Sequence, residues 1–592
     1  MTNRLPLLLL VAACGGSMTP PTTTIVPGPA AVISVDNPPV VWPDEGPRYW
    51  APRPTETAIT ANDLRTRLYG ISHDSMQGRR IGEPGNYRVT TYIANEFQRL
   101  GLRPAGDNGT YFQVMPYGTL VFALAKSKLS VGSAALEPKT DFVPAAPTGS
   151  NGIDDKAELT NAPTVFAGRW GDTATALDAG LVNGKVAVFL APLTRGGRGG
   201  GGRGGRGGAG NFATVADARA RKAGAVGALV IALDSMNANA RNAAFTARNG
   251  MKPVPLDDAV PVASISSEVA QRIFGAPVNQ LTVGARGQPI TASWSSDYTI
   301  SATPARNVIA ILPGSDPARA TQYVLVGAHN DHVGVQTTAL EHDSIRAYNR
   351  VMRPQGANDR DTIIPNADQQ RRIDSLIRYA RSIRPPRRDS ISNGADDDGS
   401  GTVVMLEIAE KFARERPARS IVFISHQGEE GGLLGSRWFT DHPTIPLDSI
   451  VAAHNMDMVG KGRVTDVKFG GPASVQTLGS RRLSREFGDI IDSVNAIIPE
   501  PMAIDRSWDV PANPLNRFCR SDQVNYVRKN IPVTYFSTGY SVDYHMVTDE
   551  PQYVDYDHSA RLGRFIHAVM TAIADRKHRP AIAGPDPAYP KC

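Results

Sequence analysis

The sequence predicts an α/β protein with a mostly parallel sheet and a second region of different, β-rich texture. Three observations predict this. From about residue 304 onward, strand-like and helix-like runs alternate along the chain, the pattern of a sheet with helices on its faces. The run "TQYVLVGAHND" is apolar almost without a break, as a strand covered on both faces should be. A chain of 592 residues is also too long for one ordinary core.

Hydrophobic residues make up 41% and charged residues 20% of the chain, a globular rather than a disordered composition. The formal charge is +6 and the pI is about 9.1. Spread over so long a chain, that charge argues for no particular polyanionic partner. The start, "MTNRLPLLLLVAACGGS", has basic Arg4, a short apolar run and small residues before Cys14. The run is too short to span a bilayer, so it reads as an export signal. Its "VAAC" resembles a bacterial lipobox. That implies cleavage before Cys14, a lipid on it, and an exported protein anchored to a membrane of the bacterial cell envelope, on the periplasmic or outer-membrane face. No other segment reaches the length of a membrane-spanning helix. The remaining cysteines, Cys519 and Cys592, are too few for a thiolate zinc site. They could pair in an oxidising compartment, though spacing does not show it.

In chain order, residues 1–14 are the signal. Residues 15–55, rich in Pro, Thr and Val, are expected to be an extended, poorly ordered tether. "TANDLRTRLYGIS" and "NYRVTTYIANEFQRLGLRP" read as helices, the second stopped by Gly101 and Pro104. The β-rich region, residues 126–299, carries the strand-like runs "GKVAVFLAP", "GALVIALD" and "VPVASIS" around the helical "TVADARARKAGA". Inside it, "RGGRGGGGRGGRGG" (195–208) reads as a flexible loop. RGG runs bind RNA elsewhere, but an exported protein has no RNA neighbour, and no nucleic-acid partner is expected. From 304, "ARNVIAILPG", "TQYVLVGAHND", "RSIVFISHQGEE", "SIVAAHNMDMVG" and "IPVTYFSTG" are strands and "GTVVMLEIAEKFARE" is a helix. A charged stretch, 338–390, interrupts them and is expected to be a helical excursion over the surface.

The ends of these strands carry the chemistry. "YVLVGA" runs into His329, with Asp331 two residues on; "IVFIS" leads to Glu429 and Glu430; "IVAAHN" leads to Asp457; "VTYFSTG" is followed by Tyr544 and His545. The turn "NGADDDGSG" adds Asp396, Asp397 and Asp398. In a parallel sheet the carboxyl ends of strands converge on one edge. Each group alone has a bland reading: a hydrogen-bonded histidine, a solvated glutamate pair, an acidic turn. Asp457, flanked by methionines, already needs a partner. Five such groups at equivalent places form a set, and two histidines with several carboxylates suit zinc. Two dications would offset the repulsion within the aspartate run, with one aspartate bridging ions about 3.5–4 Å apart.

These motifs resemble, in order, those of the co-catalytic zinc aminopeptidases of peptidase family M28: "GAHNDHVG", "NGADDDGSGT", "HQGEEGGLLGS", "NMDMVG" and "DYHMVTDEP", with "GRRIGEPGN" and "NVIAILPG" beside them. The resemblance implies a phosphorylase/hydrolase-like α/β zinc exopeptidase domain in residues 56–125 and 300–580. The region 126–299 resembles a protease-associated (PA) domain, often inserted in this family. Two Zn2+ per chain are implied. His329 and Asp457 would hold one and Glu430 and His545 the other, with Asp397 between them and Asp396 and Asp398 not ligating. Glu429 would be the general base, Asp331 would orient His329, and Tyr544 would steady the oxyanion. Gln523 stands where many members have His, and the 338–390 insertion is longer than in compact members.

The implied activity is removal of N-terminal residues from a peptide substrate. A carboxypeptidase or dipeptidase would share the same metal set. A one-zinc glutaminyl cyclase is opposed by the complete ligand set, and so is an inactive receptor-like module.

Overall fold

The computed structural model describes residues 37–592, except 147–151, 173, 175, 193–216, 254–255, 355, 359–363, 512, 514, 585 and 590–591. The signal, Cys14 and the RGG run lie outside the described residues.

The main sheet has nine strands. At its centre Ser420–His426, Tyr323–His329, Ile450–Met456 and Val533–Ser537 lie side by side in parallel. The flanks depart from the expectation of a mostly parallel sheet. Arg306–Leu312 pairs antiparallel with Ser420–His426, Arg103–Pro104 and Phe112–Val114, and Ser474–Leu478 pairs antiparallel with Val533–Ser537. The sheet is therefore mixed. Its four central strands are parallel, and at one edge Ser474–Leu478 also pairs parallel with Ala503–Asp505, while the pairings between centre and flanks are antiparallel.

Alternation along each strand explains the unbroken apolar runs. In Tyr323–His329, Val324 and Val326 join one core cluster and Leu325 the other. In Ser420–His426, Ile421 and Phe423 face the first, Val422 and Ile424 the second. Helices Ala61–Ile71, Pro84–Arg99, Gly401–Arg414, Arg485–Ile497 and Tyr556–Asp575 supply buried residues to the first cluster. Leu434–Asp441 and Gln523–Val527 contribute Phe439 and Tyr526 to the second. With both faces covered, neither set of alternating positions can be polar.

The second sheet has ten strands and its own cores. Its middle strands, Lys156–Arg169, Val186–Leu190, Gly227–Ile231 and Val262–Ile265, are parallel. It begins earlier than the expected 126: Tyr117–Phe122 pairs with Arg286–Ile300, so residues assigned from sequence to the first domain belong to this sheet. An apolar run at a boundary fits either core, and only pairing decides.

Two expectations are corrected. The tether reading of 15–55 fails within residues 37–55, which are anchored at Val41, Trp42 and Glu45. Val41 and Trp42 are buried, and Trp42 Nε1 donates to Asp343 Oδ1 at 2.9 Å. Arg384 pairs with Glu45 at 2.6 Å. The 338–390 stretch is helical in His342–Met352 and Ala367–Ile383, but it is more than a surface excursion. Asp343 and Arg346 are buried, and Ala347, Met352, Ile373 and Ala380 share a core with Trp42 and Tyr553. Cys519 and Cys592 form a disulfide, with 5.4 Å between their Cα atoms.

Candidate metal centre

The carboxyl ends of the central strands converge as topology requires. His329 ends its strand, Asp457 follows Ile450–Met456, and Glu429 and Glu430 follow Ser420–His426. The aspartate turn precedes helix Gly401–Arg414, and His545 sits beyond Val533–Ser537 in the left-handed region (φ 57°), a conformation that costs a non-glycine residue about 1–3 kcal/mol.

The three aspartates diverge. The Asp396 carboxylate accepts from Gly460 N at 2.7 Å. The Asp398 carboxylate accepts from the backbone N–H of His329 (3.1 Å), Gly401 (2.8 Å) and Met458 (3.2 Å). Both are structural staples. Asp397 alone faces the histidines. Its Oδ1 lies 3.2 Å from His329 Nε2, and its Oδ2 lies 3.1 Å from His545 Nε2. Asp457 Oδ1 stands 3.7 Å from His329 Nε2, and Glu430 Oε1 stands 3.0 Å from His545 Nε2.

Two groups of donor atoms result: His329, Asp397 and Asp457 in one, and His332, Asp397, Glu430 and His545 in the other, the atoms of each lying within 4.8 Å of one another. His329 Nε2, Asp397 Oδ2, Glu430 Oε1 and Asp457 Oδ1 are buried without a hydrogen-bond partner in the protein. Buried polar atoms in proteins are mostly partnered, and here several unpartnered ones meet at one place. Orphaned nitrogen and oxygen donors converging in two groups that share one carboxylate fit two zinc ions.

His332 was not singled out by the sequence reading. It is buried, its Nδ1 lies 2.9 Å from Glu430 Oε1, and its ring stands edge-on to His545 at 5.4 Å between centroids. The signal was a second histidine inside "HNDH". Gly394, at φ 56°, makes room for it, since a Cβ there would meet the His332 ring at 2.5 Å. Arg79, fully buried, was also missed. It donates to the carbonyls of Asn330 (3.0 Å) and Gly394 (2.7 Å) and so ties the His329 loop to the aspartate turn.

His329 Nδ1 faces Asp331 twice, its backbone carbonyl at 3.1 Å and its carboxylate Oδ1 at 3.7 Å. The same carboxylate oxygen accepts from Gly428 N (2.7 Å) and Glu429 N (3.1 Å), so Asp331 links the His329 ring to the Glu429 loop. Gln523 is buried away from the donor groups, its side-chain oxygen accepting from Asn455 at 3.1 Å.

Electrostatics follow from this crowding. Burial raises the Glu429 pKa well above the usual carboxylate range, Asp457 and Glu430 add to the rise, and His329 opposes it. Burial would also raise Glu430, but His545 and His332 hold it at about 2. Burial would lower His545, but Glu430 and Asp397 raise it to about 10. Tyr544 stacks on His545 at 3.9 Å between centroids, and burial keeps its hydroxyl protonated, hence a donor.

A family profile described as Peptidase family M28 matches residues 373–570. That span includes Asp397, Glu429, Glu430, Asp457, Tyr544 and His545, and begins after His329. A "Probable zinc metalloprotease" of Pyrenophora tritici-repentis is 37% identical over 87 residues, 15% of this chain and 20% of that protein. "Leucine aminopeptidase 1" of Trichophyton rubrum is 28% identical over 196 residues, 31% of this chain and 48% of that protein. The chain thus spans about a fifth of the length of the first curated relatives it matches. Among solved structures, a zinc aminopeptidase from Bacillus subtilis is 17% identical, with 87% of this chain and 95% of that chain covered and a TM-score of 0.40.

Proposed function

Because the chain belongs to peptidase family M28 through residues 373–570, we propose that it is an exported two-zinc aminopeptidase that removes N-terminal residues from peptides. The observation that carries this reading is the division of the two Asp397 oxygens between His329 and His545. His329, Asp397 and Asp457 would hold one ion, and Asp397, Glu430 and His545 the other. Bound there, the pair would polarise a peptide carbonyl and acidify water.

The protein's own groups do the rest. Glu429, its proton affinity raised by burial, takes a proton from the attacking water and returns it to the leaving amine. The Tyr544 hydroxyl, still protonated, donates to the developing oxyanion. Asp331 holds the Glu429 backbone in place. The ten-stranded sheet is read as the PA domain, and Cys14 as the lipidated residue.

The test is zinc per chain together with hydrolysis of leucine arylamide. Two zinc ions, with activity removed by chelator and restored by zinc, are expected. Glu429→Gln should keep both ions and lose about 10²–10⁴-fold in turnover, the worth of a positioned general base. A variant turning over at the wild-type rate would remove Glu429 from that role, and one zinc per chain would remove the two-ion centre.

A further inference from the structure

A guanidinium without a carboxylate partner among the described residues lies against the aromatic cluster that leads to His545. Arg520 is half-buried. Its Cζ lies 5.0 Å from the centroid of the Tyr540 ring. Tyr540 meets Tyr544 edge-on at 4.7 Å, and Tyr544 stacks on His545. Two rings therefore separate Arg520 from a metal ligand. Its charge reaches Glu429 and Tyr544.

The residues around it are fixed. Cys519 is in the disulfide to Cys592. Ser521 accepts from Asn455 Nδ2 at 2.8 Å, and Asn455 lies two residues before Asp457. The Arg517 Cζ also packs on the cluster, 3.3 Å from the Tyr540 ring centroid and 4.0 Å from that of Trp508. The fixed backbone and the Tyr540 ring thus keep the Arg520 side chain on the Tyr540–Tyr544 cluster next to His545.

Among the described residues, no hydrogen bond or ion pair ends on Arg520. A guanidinium carries five donors in a planar fork, and its preferred partner is a carboxylate bound through two parallel hydrogen bonds. None of the site's carboxylates makes an ion pair with Arg520 among the described residues: Glu430 and Asp457 belong to the metal groups, Glu429 acts on it through charge alone, and Asp522 Oδ2 lies 3.5 Å from His426 Nδ1. We propose that Arg520 is a specificity-determining residue that receives a carboxylate of the substrate close to the scissile bond. This rests on the peptidase reading and deepens it. The carboxylate has two sources, the free C-terminus of a dipeptide or an Asp or Glu side chain after the scissile bond. Either would favour short or acidic peptides over neutral, C-terminally blocked ones. A cation that merely offset the acidic site would bind no particular part of the substrate.

The test uses ligands that cannot be hydrolysed, so that it stands apart from turnover. The zinc-loaded protein is titrated calorimetrically with Leu-Leu whose amide is reduced to CH2–NH, as the free acid and as the C-terminal amide. The corresponding Leu-Glu amide forms a second arm. Wild type should prefer the acid over the amide, or Leu-Glu amide over Leu-Leu amide, by about tenfold or more, as a charge-assisted pair allows. The arm with the preference identifies the source. Arg520→Met should bring that ratio near one, and Arg520→Lys should keep part of it. The inference is overturned if neither arm shows a preference, if Arg520→Met leaves the ratio intact, or if the variant weakens acid and amide equally. A protein that binds with the expected ratio yet hydrolyses no peptide would sink the peptidase reading instead.

Discussion

Replacing Lys461 by Met should damage the metal centre without touching a ligand. Lys461 is buried, in contact with the Asp543 carboxylate, with its Nζ 3.9 Å from Asp549. The Asp549 carboxylate in turn accepts from the backbone N–H of Asp396 (3.0 Å) and Asp397 (3.1 Å). At 3.9 Å and an effective dielectric near 20, one such pair is worth about 4 kcal/mol. Methionine gives back the desolvation of the ammonium but leaves Asp543 with Arg346, which pairs with it at 3.1 Å, and Asp549 with the longer-range charge of the buried Arg79. Breaking a buried pair from one side costs about 3–5 kcal/mol, a large part of the stability of an ordinary domain. The second consequence is local. An Asp549 that protonates or turns away loses its hold on the Asp397 backbone, and loosening the groups that orient metal ligands costs about 10–100-fold in affinity. Urea unfolding of the metal-free protein reads the first effect. Zinc titration in a chelator buffer reads the second, with activity recovering at high zinc. A loss under about 1 kcal/mol with unchanged zinc affinity would refute the reasoning, since a buried ammonium that mattered would leave uncompensated charge behind.

Three further outcomes are expected. His454 is buried between Phe487 and Phe536, and burial lowers its pKa from 6.5 to about 3. A depressed folded-state pKa gives stability that is complete above pH 6.5 and lost as pH falls toward 3, at about 1.4 kcal/mol per pH unit for one proton. His454→Leu should flatten that limb, and parallel stability curves for the two proteins between pH 6 and 4 would contradict it. Cys519→Ser opens a loop with a sequence separation of 73, which chain entropy values at up to about 4 kcal/mol; a denaturation midpoint unmoved by the substitution would show that the bridge constrains little. His332→Gln should weaken zinc at the Glu430–His545 group by about 10–100-fold and spare the His329–Asp457 group. Graded chelation reads this as one ion lost early, and simultaneous loss of both ions would contradict it.

The strand ends were legible because they need only local pattern. An apolar run buried on both faces must stop where the chain turns polar, so His329, the Glu429–Glu430 pair and Asp457 announce themselves. Choosing Glu430 of the two glutamates and Asp397 of the three aspartates, and giving His545 a ligand role, took the resemblance. The groups that hold these residues had no such pattern. Arg79 acts through carbonyls of Asn330 and Gly394, and Lys461 through an aspartate in a distant loop. Neither residue sits in a periodic run, and any surface arginine or lysine has the same local appearance. The N-terminal strap was misread for a related reason. A Pro-rich composition says that a segment makes few hydrogen bonds of its own. It is silent on whether another surface grips it, and here Trp42 finds Asp343 across 301 residues. The antiparallel flanks of the main sheet were hidden likewise, since hydrophobic alternation fixes which side chains are inside but not which strand lies alongside.

The strap, the insertion and the metal turn form one electrostatic path. Asp44 of the strap pairs with Arg346 and Arg350 of the insertion. Arg346 passes to Asp543 at 3.1 Å, Asp543 to Lys461, and Lys461 to Asp549, whose carboxylate carries the backbone of the turn. Charges alternate in sign along the whole path. Such alternation makes each member tolerable in a medium where an isolated charge would be expelled or neutralised. It also constrains the far end. Asp549 accepts from two N–H groups more strongly when ionised, while burial raises its pKa. Each cation along the path lowers that cost, with the insertion supplying Arg346 and the strap supplying the aspartate that keeps Arg346 paired on both sides. An acidic turn can therefore be buried with its middle carboxylate free to face the donor groups, because its neighbours are held by backbone N–H groups and its support is charge-balanced from behind.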